Sequence, residues 1–195
     1  MAGIGAAARV SPDAKVIVLE AEDAPGRHST GRSAAIFIGN YGNETVRAAN
    51  AASQGELAEP PDDIAETSLL TPRGELLIAT AEEEERFEAH MAAASSTDEI
   101  PPDEAVRLFP ILKRDRIVRA CYDNTAEDID VDRLLQGYLR LLRRNGGKLA
   151  TDARVQRIRR DGGLWKLDTP AGAFEAPVVV NAAGAWADAT AALAG

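Results

Sequence analysis

Cysteine is nearly absent: Cys121 is the only one in 195 residues, which excludes a fold stapled by internal disulfides. Histidine is almost as scarce, with His28 and His90 alone, so no ligand cluster suited to zinc is visible and no metal is expected. Positive charge is outnumbered, 22 Lys and Arg against 31 Asp and Glu, for a net charge of -9. Such a field repels the phosphates of nucleic acid and of anionic membranes, so neither is expected as a partner. The basic clusters Leu141-Leu142-Arg143-Arg144 and Arg157-Ile158-Arg159-Arg160 read as solvated element faces. Long apolar runs are missing as well. The longest candidates, Val16 to Leu19 and Val178 to Val180, fall far short of the roughly 18 residues that span a bilayer, so no integral membrane segment is expected. No basic start followed by an apolar stretch and a cleavage site opens the chain, and with a single thiol this points to the reducing cytoplasm.

What is present reads as a folding sequence. The composition is 45% hydrophobic, 27% charged and 5% aromatic, within the globular range, and the length is enough for a sizeable core. Lys15-Val16-Ile17-Val18-Leu19-Glu20 is a short β-branched run ending on an acid, the pattern of a buried parallel strand. An alanine-rich helix from Gly5 to Val10 precedes it, stopped by Ser11-Pro12-Asp13. Gly31 to Ala35 could open a short helix, and a longer one is expected over 44–57, broken by Pro60-Pro61. Segments 68–70 and 75–80 resemble two strands around a turn, and Glu82 to Glu85 starts a helix at its favourable electrostatic end. A short helix after Pro101-Pro102 and a strand over 117–122 follow. Leu134, Leu135, Tyr138, Leu141 and Leu142 recur at intervals near three and four, predicting a helix over 131–145 closed by Gly146-Gly147. Strands are expected at 154–159, 164–168, 173–176 and 178–181, then a final alanine-rich helix. Interleaved helices and strands predict an α/β class with an inserted β-rich portion.

A dinucleotide site needs a strand, a turn with G-x-G-x-x-G spacing, a helix N-terminus facing the pyrophosphate and an acid on the second strand for the ribose hydroxyls. Gly3 and Gly5 could supply a glycine pair, but Glu20 follows Gly3 by only 17 residues, too few for Gly3 to be the first glycine. Gly3 fits better as the third, with Met1 and Ala2 as the variable residues before it. On this reading the first strand and two phosphate-facing glycines lie upstream. The alternative is a glycine pair that merely decorates a small-residue helix.

The run His28-Ser29-Thr30-Gly31-Arg32-Ser33-Ala34-Ala35 after Glu20 resembles the loop that flavoenzymes of the D-amino-acid oxidase and dehydrogenase superfamily wrap around FAD. Its small residues let backbone N–H groups approach a large flat cofactor, and its polar ones donate to an anion. Val178 to Trp186 resembles a second FAD-contacting strand and turn, and the segment around Val155 is similar to the strand whose backbone brackets the adenine. Within the superfamily the resemblance is nearest to the FAD-dependent D-arginine dehydrogenases, through Tyr41-Gly42, Ala51-Ala52-Ser53, Thr71-Pro72-Arg73, Asp128-Ile129-Asp130, Gln136 to Leu139 and Asn181 to Trp186.

The resemblance implies a Rossmann-like FAD-binding domain with a parallel sheet lacking its first strand, over 1–58 and 145–195, and part of an inserted β-rich substrate domain over 59–144. It implies FAD contacts from Ala2, Gly3, Glu20, Ala21, Ser29, Thr30, Gly31, Arg32, Ser33, Ala34, Ala35, Ile36, Val155, Ala182, Ala183 and Gly184. Tyr41 and Glu75 would touch a small amine or amino-acid substrate. For these two the residues alone leave a core aromatic and a solvent-facing strand residue as alternatives. Ile36 and Ile38 depart from the His and Thr of the D-arginine enzymes, so the pocket wall is less polar. The substrate-clamping arginines belong to a second half beyond Gly195, which could be separately encoded. No catalytic residue is therefore named, and the chain is expected to be the cofactor-holding part of an enzyme that oxidises a D-amino acid or related amine.

Overall fold

The structure, a computed structural model, describes residues 1–94 and 96–195. Its helices are α1 (Ala2–Val10), α2 (Glu44–Ala58), α3 (Glu84–Ala93), α4 (Pro102–Leu108), α5 (Val131–Arg144) and α6 (Ala187–Ala192). Its strands are β1 (Ile17–Leu19), β2 (Ile36–Phe37), β3 (Leu70–Pro72), β4 (Glu75–Ala79), β5 (Thr97–Ile100), β6 (Arg119–Asp123), β7 (Glu127–Ile129), β8 (Lys148–Ala150), β9 (Arg157–Asp161), β10 (Leu164–Thr169) and β11 (Gly172–Ala176). They form two compact units, one of residues 1–33, 61–66 and 131–195, the other of 34–60 and 67–130.

In the first unit β1 and β8 pair in parallel, Ile17 opposite Lys148 and Leu19 opposite Ala150. Parallel neighbours need a crossover, and here α5 feeds β8. The apolar stripe of α5 buries Leu135 and Leu139 against Ile4 of α1, with Val18 and Leu149 of the parallel pair packed on the same cluster. Each such side chain fully buried stabilises by about 1.5–3 kcal/mol. Segment 61–66 docks on this helix: Arg140 Nη2 donates to the Ile64 carbonyl at 2.8 Å, and Arg144 pairs with Asp63 at 3.0 Å. These contacts hold 61–66 on α5 within the first unit. Strands β9, β10 and β11 form an antiparallel sheet, whose charges are solvated: Arg159 pairs with Asp168 and Lys166 with Asp161.

The second unit holds two three-stranded antiparallel sheets, β2-β7-β3 and β4-β6-β5. Segments 68–70 and 75–80 thus yield strands, but in different sheets, because β7 and β6 rather than each other satisfy their backbone groups. Phe87 of α3 packs on Ala79 and Cys121, and Ala105 of α4 on Ile117 and Ala120. The glutamate run behaves as a helix start, with Glu83 accepting from the Thr80 backbone N–H at 3.0 Å.

Two expectations are corrected. Gly31 to Ala35 opens no α-helix. A 3-10 turn over Ser29–Arg32 ends at Ser33, Ala35 takes a left-handed φ of 54°, and its carbonyl accepts from Ile129 N at 2.6 Å. Residues 178–181 form no strand: among the described residues none pairs with them, and Val178 and Val180 are 71% and 73% exposed. Apolar, β-branched composition alone does not create a ladder partner.

Candidate functional site

The site in the first unit is built around the N-terminal end of α1. The first N–H groups of a helix have no intrahelical partner and carry partial positive charge. Three other segments converge there. Thr30 Oγ1, in the 29–32 turn, accepts from the Met1 amino group at 2.9 Å. Ala182 stands against Gly3 so closely that a β-carbon on Gly3 would lie 3.1 Å from the Ala182 Cβ. Glu20 follows β1 and is held by its backbone, its N–H donating to the Ala150 carbonyl and its own carbonyl accepting from Ala153, both at 2.8 Å. Its Oε1 accepts from the Glu22 N–H at 3.1 Å. Burial lowers the pKa of the Met1 amino group, while the Glu20 charge pulls it upward.

The 29–32 turn is closed by Gly31 N–H, which donates to the Gly26 carbonyl at 2.8 Å. Any side chain at Gly31 would run into that same carbonyl. Ser29, Gly31, Arg32 and Ser33 are exposed beside Thr30, and Ala21 and Val155 are half-buried. Asn181 shapes the other turn: its Oδ1 accepts from Ala183 N at 3.2 Å and its Nδ2 donates to the Ala187 carbonyl at 2.8 Å. Ala182 and Gly184 remain exposed. The first unit thus brings Ala2, Gly3, Glu20, Thr30 and Ala182 together. Such an arrangement can take an anion at the helix end and a diol at the carboxylate, and the missing β-carbon at Gly3 lets the Ala182 turn close onto the start of the helix. These residues fit a dinucleotide.

The second unit holds Ala34, Ala35, Ile36, Tyr41 and Glu75. Ile36 pairs with Asp128 across β2 and β7, and Arg73 Nη1 bonds Asp128 Oδ1 at 2.6 Å. Tyr41 is 68% exposed, so it is not a core aromatic. Glu75 is half-buried on β4 opposite Asp123. Burial raises its pKa, with His90 opposing and the Asp123 charge adding to the rise. Cys121 is buried beside them, and burial first, then Glu75, pushes its thiol up to about 11, which makes it inert at neutral pH.

Sequence reasoning missed the polar centre of this unit. Asp123 is 2% exposed and accepts from Thr125 N at 2.8 Å, Thr125 Oγ1 at 2.6 Å, Ser96 Oγ at 3.1 Å and Asn40 Nδ2 at 3.4 Å. Burial alone would raise its pKa, but these donors hold it below the usual carboxylate range. Asn40, Ser96 and Thr125 also line a cavity of about 320 Å³ with Phe37 and Gln54. The Asp123-x-Thr125 spacing is an Asx-turn pattern and was the one local signal for it.

Comparison with known proteins gives the family and the fold. The sequence profile of the family described as FAD dependent oxidoreductase (DAO) matches residues 1–195. Mitochondrial dimethylglycine dehydrogenase of Rattus norvegicus is 32% identical over 116 residues, covering 57% of this chain and 14% of the rat protein. Glycine oxidase from Geobacillus kaustophilus superposes with a TM-score of 0.83 at 20% identity, over 98% of this chain and 55% of that one. L-alpha-glycerophosphate oxidase from Mycoplasma pneumoniae, whose structure contains FAD, superposes with a TM-score of 0.78 at 18% identity, over 98% and 53%. The chain spans about half the length of these solved structures and a smaller share of the rat protein.

Proposed function

Because the chain belongs to the family of FAD dependent oxidoreductases, we propose that its first unit holds FAD for the oxidation of a small amine or amino acid. FAD is the cofactor of this family. The observation that carries the reading is the close approach of Gly3 to Ala182 at the N-terminal end of α1, with Glu20 at the end of the adjoining strand.

In this assignment the backbone of Ala2 and Gly3 and the start of α1 face the pyrophosphate, and Glu20 accepts from the ribose hydroxyls. Ala21 and the Val155 backbone flank the adenosine. Residues Ser29, Thr30, Gly31, Arg32 and Ser33 wrap the middle of the cofactor, and Ala182, Ala183 and Gly184 approach it from the second turn. FAD, when bound, would supply a hydride acceptor for the substrate carbon that bears nitrogen, and for a primary amino acid hydrolysis would then give a 2-oxo acid and ammonia. The chain's own residues orient the cofactor. None is assigned as catalytic acid or base.

Tyr41 and Glu75 are assigned to the substrate. The names of dimethylglycine dehydrogenase and glycine oxidase support a small amine or amino acid, and the carboxylate of Glu75 suits a cationic group. Ile36 and Ile38 disfavour arginine, so a D-amino acid with a less polar side chain is the substrate we infer. The length the relatives have beyond this chain completes the pocket, in the same polypeptide or as a separately encoded half.

The test is anaerobic addition of glycine, N-methylated glycines and a panel of D-amino acids to the FAD-loaded protein, reading loss of the visible flavin band. Bleaching by small or apolar substrates ahead of D-arginine is expected. Tight, fast bleaching by D-arginine overturns the substrate assignment. Retained FAD with no bleaching by any amine supports the second reading, a flavin-holding part that turns over nothing alone.

A further inference from the structure

A cluster outside the assigned cofactor residues ties three segments of the first unit together. Glu22 Oε1 stands 3.0 Å from His28 Nε2 and 3.2 Å from Arg154 Nη2, and the Glu22 carbonyl accepts from Asp152 N at 2.9 Å. On its other side the His28 ring meets Trp186, with centroids 4.6 Å apart and planes inclined by 55°. His28 immediately precedes the Ser29–Arg32 turn, Trp186 ends the Gly184–Trp186 turn, and Arg154 immediately precedes Val155. Each partner therefore anchors one of the segments assigned to FAD.

The side chains of His28 and Glu22 are 40% and 32% exposed. The charges around the imidazole are Glu22, Arg154, and the Asp23 and Arg27 pair at 2.7 Å on the same loop. Glu22 is held below the usual carboxylate range, first by its hydrogen bond with His28. The imidazole thus joins Glu22 through one hydrogen bond and Trp186 through an aromatic contact.

We propose that His28 is a positioning residue, a clasp between Glu22 and Trp186 that sets the spacing of the 29–32 and 184–186 turns and thereby the affinity for FAD. The proposal rests on the FAD reading above. The chain has two tryptophans, so Trp165→Phe leaves Trp186 as the sole indole. In that background His28→Asn shifts Trp186 emission, because the ring contact is lost, and leaves the thermal midpoint near that of the parent. FAD binding, followed by flavin fluorescence, weakens about fivefold in the same variant. His28→Phe keeps the ring contact without the Glu22 bond and recovers part of that affinity.

Trp186 emission that His28→Asn leaves unchanged overturns the clasp, as does equal FAD affinity in His28→Asn and its Trp165→Phe parent. If the parent binds no FAD while His28→Asn still shifts Trp186 emission, the cofactor reading fails and takes the assigned role with it. If FAD binds and His28 is irrelevant to its affinity, the clasp alone fails.

Discussion

Gly3 meets Ala182 with little room for a β-carbon between them: the added carbon would sit 3.1 Å from the alanine methyl. The contact fixes the start of α1 against the Asn181–Gly184 turn, both assigned to FAD. Gly3→Ala separates folding from binding. Alanine gains up to about 1 kcal/mol of helix propensity, which offsets the small displacement, so urea unfolding changes little while FAD affinity falls. Gly3→Val overpacks the contact and costs about 1–3 kcal/mol of stability, with FAD binding lost beyond the affinity loss of the alanine variant.

Glu20 is held by backbone bonds to Ala150 and Ala153, and the one bond to its carboxylate, from the Glu22 N–H to Oε1, is one that a glutamine Oε1 can also accept. Glu20→Gln therefore leaves the circular dichroism spectrum and the thermal midpoint near wild type. It removes an ionised acceptor worth about 1.5–3 kcal/mol for a hydrogen-bonded partner. FAD titration is expected to show a loss of about tenfold or more. Unchanged affinity would remove Glu20 from the site.

Ala35 holds a φ of 54°, a conformation that costs an L-residue roughly 1–2 kcal/mol. Ala35→Gly relieves it, less the extra chain entropy glycine loses on folding. The net gain in denaturant unfolding is expected to be below about 1 kcal/mol. Ala35→Val loses stability, because a β-branched residue tolerates this region poorly.

The carboxyls of Glu75 and Asp123 face each other across β4 and β6 and pull stability in opposite directions with pH. The folded-state pKa of Glu75 is raised by burial, so its contribution is present in acid and lost as pH rises through a window just above the ordinary carboxylate range. The folded-state pKa of Asp123 is depressed by its donors, so its contribution is present above the ordinary range and lost as pH falls below it. Glu75→Gln gains a few tenths of a kcal/mol near pH ~7 and nothing in acid, the gain being small because the half-exposed group is screened. Asp123→Ala removes the acceptor shared by Asn40, Ser96 and Thr125 and loses about 1–3 kcal/mol at neutral pH. Urea unfolding across the acid-to-neutral range measures both.

What the sequence made legible was local. The β-branched run ending at Glu20 became β1, and the three-and-four spacing from Leu134 to Leu142 became α5. Strand β2 has two residues, Ile36 and Phe37, and exists only because Asp128 and Glu127 pair with them; a segment so short has no period to read. Residues 178–181 have strand composition, but a strand needs a neighbour, and composition does not report one. Likewise Glu20 could be singled out by its place at the end of one apolar run, and the Ser29–Ser33 loop by resemblance within one stretch of chain. The Asp123 centre could not, since Asn40 and Ser96 reach it from 83 and 27 residues away.

The central claim is that Glu20, Gly3 and the two turns form a site for a dinucleotide flavin. Titration of the chain with FAD and with FMN, read by flavin fluorescence, tests it directly, because FMN lacks the adenosine ribose that Glu20 is assigned to hold. FAD is predicted to bind and FMN to bind far more weakly, with Glu20→Gln erasing most of the difference. Equal binding of FMN and FAD, or binding of neither, would contradict the account.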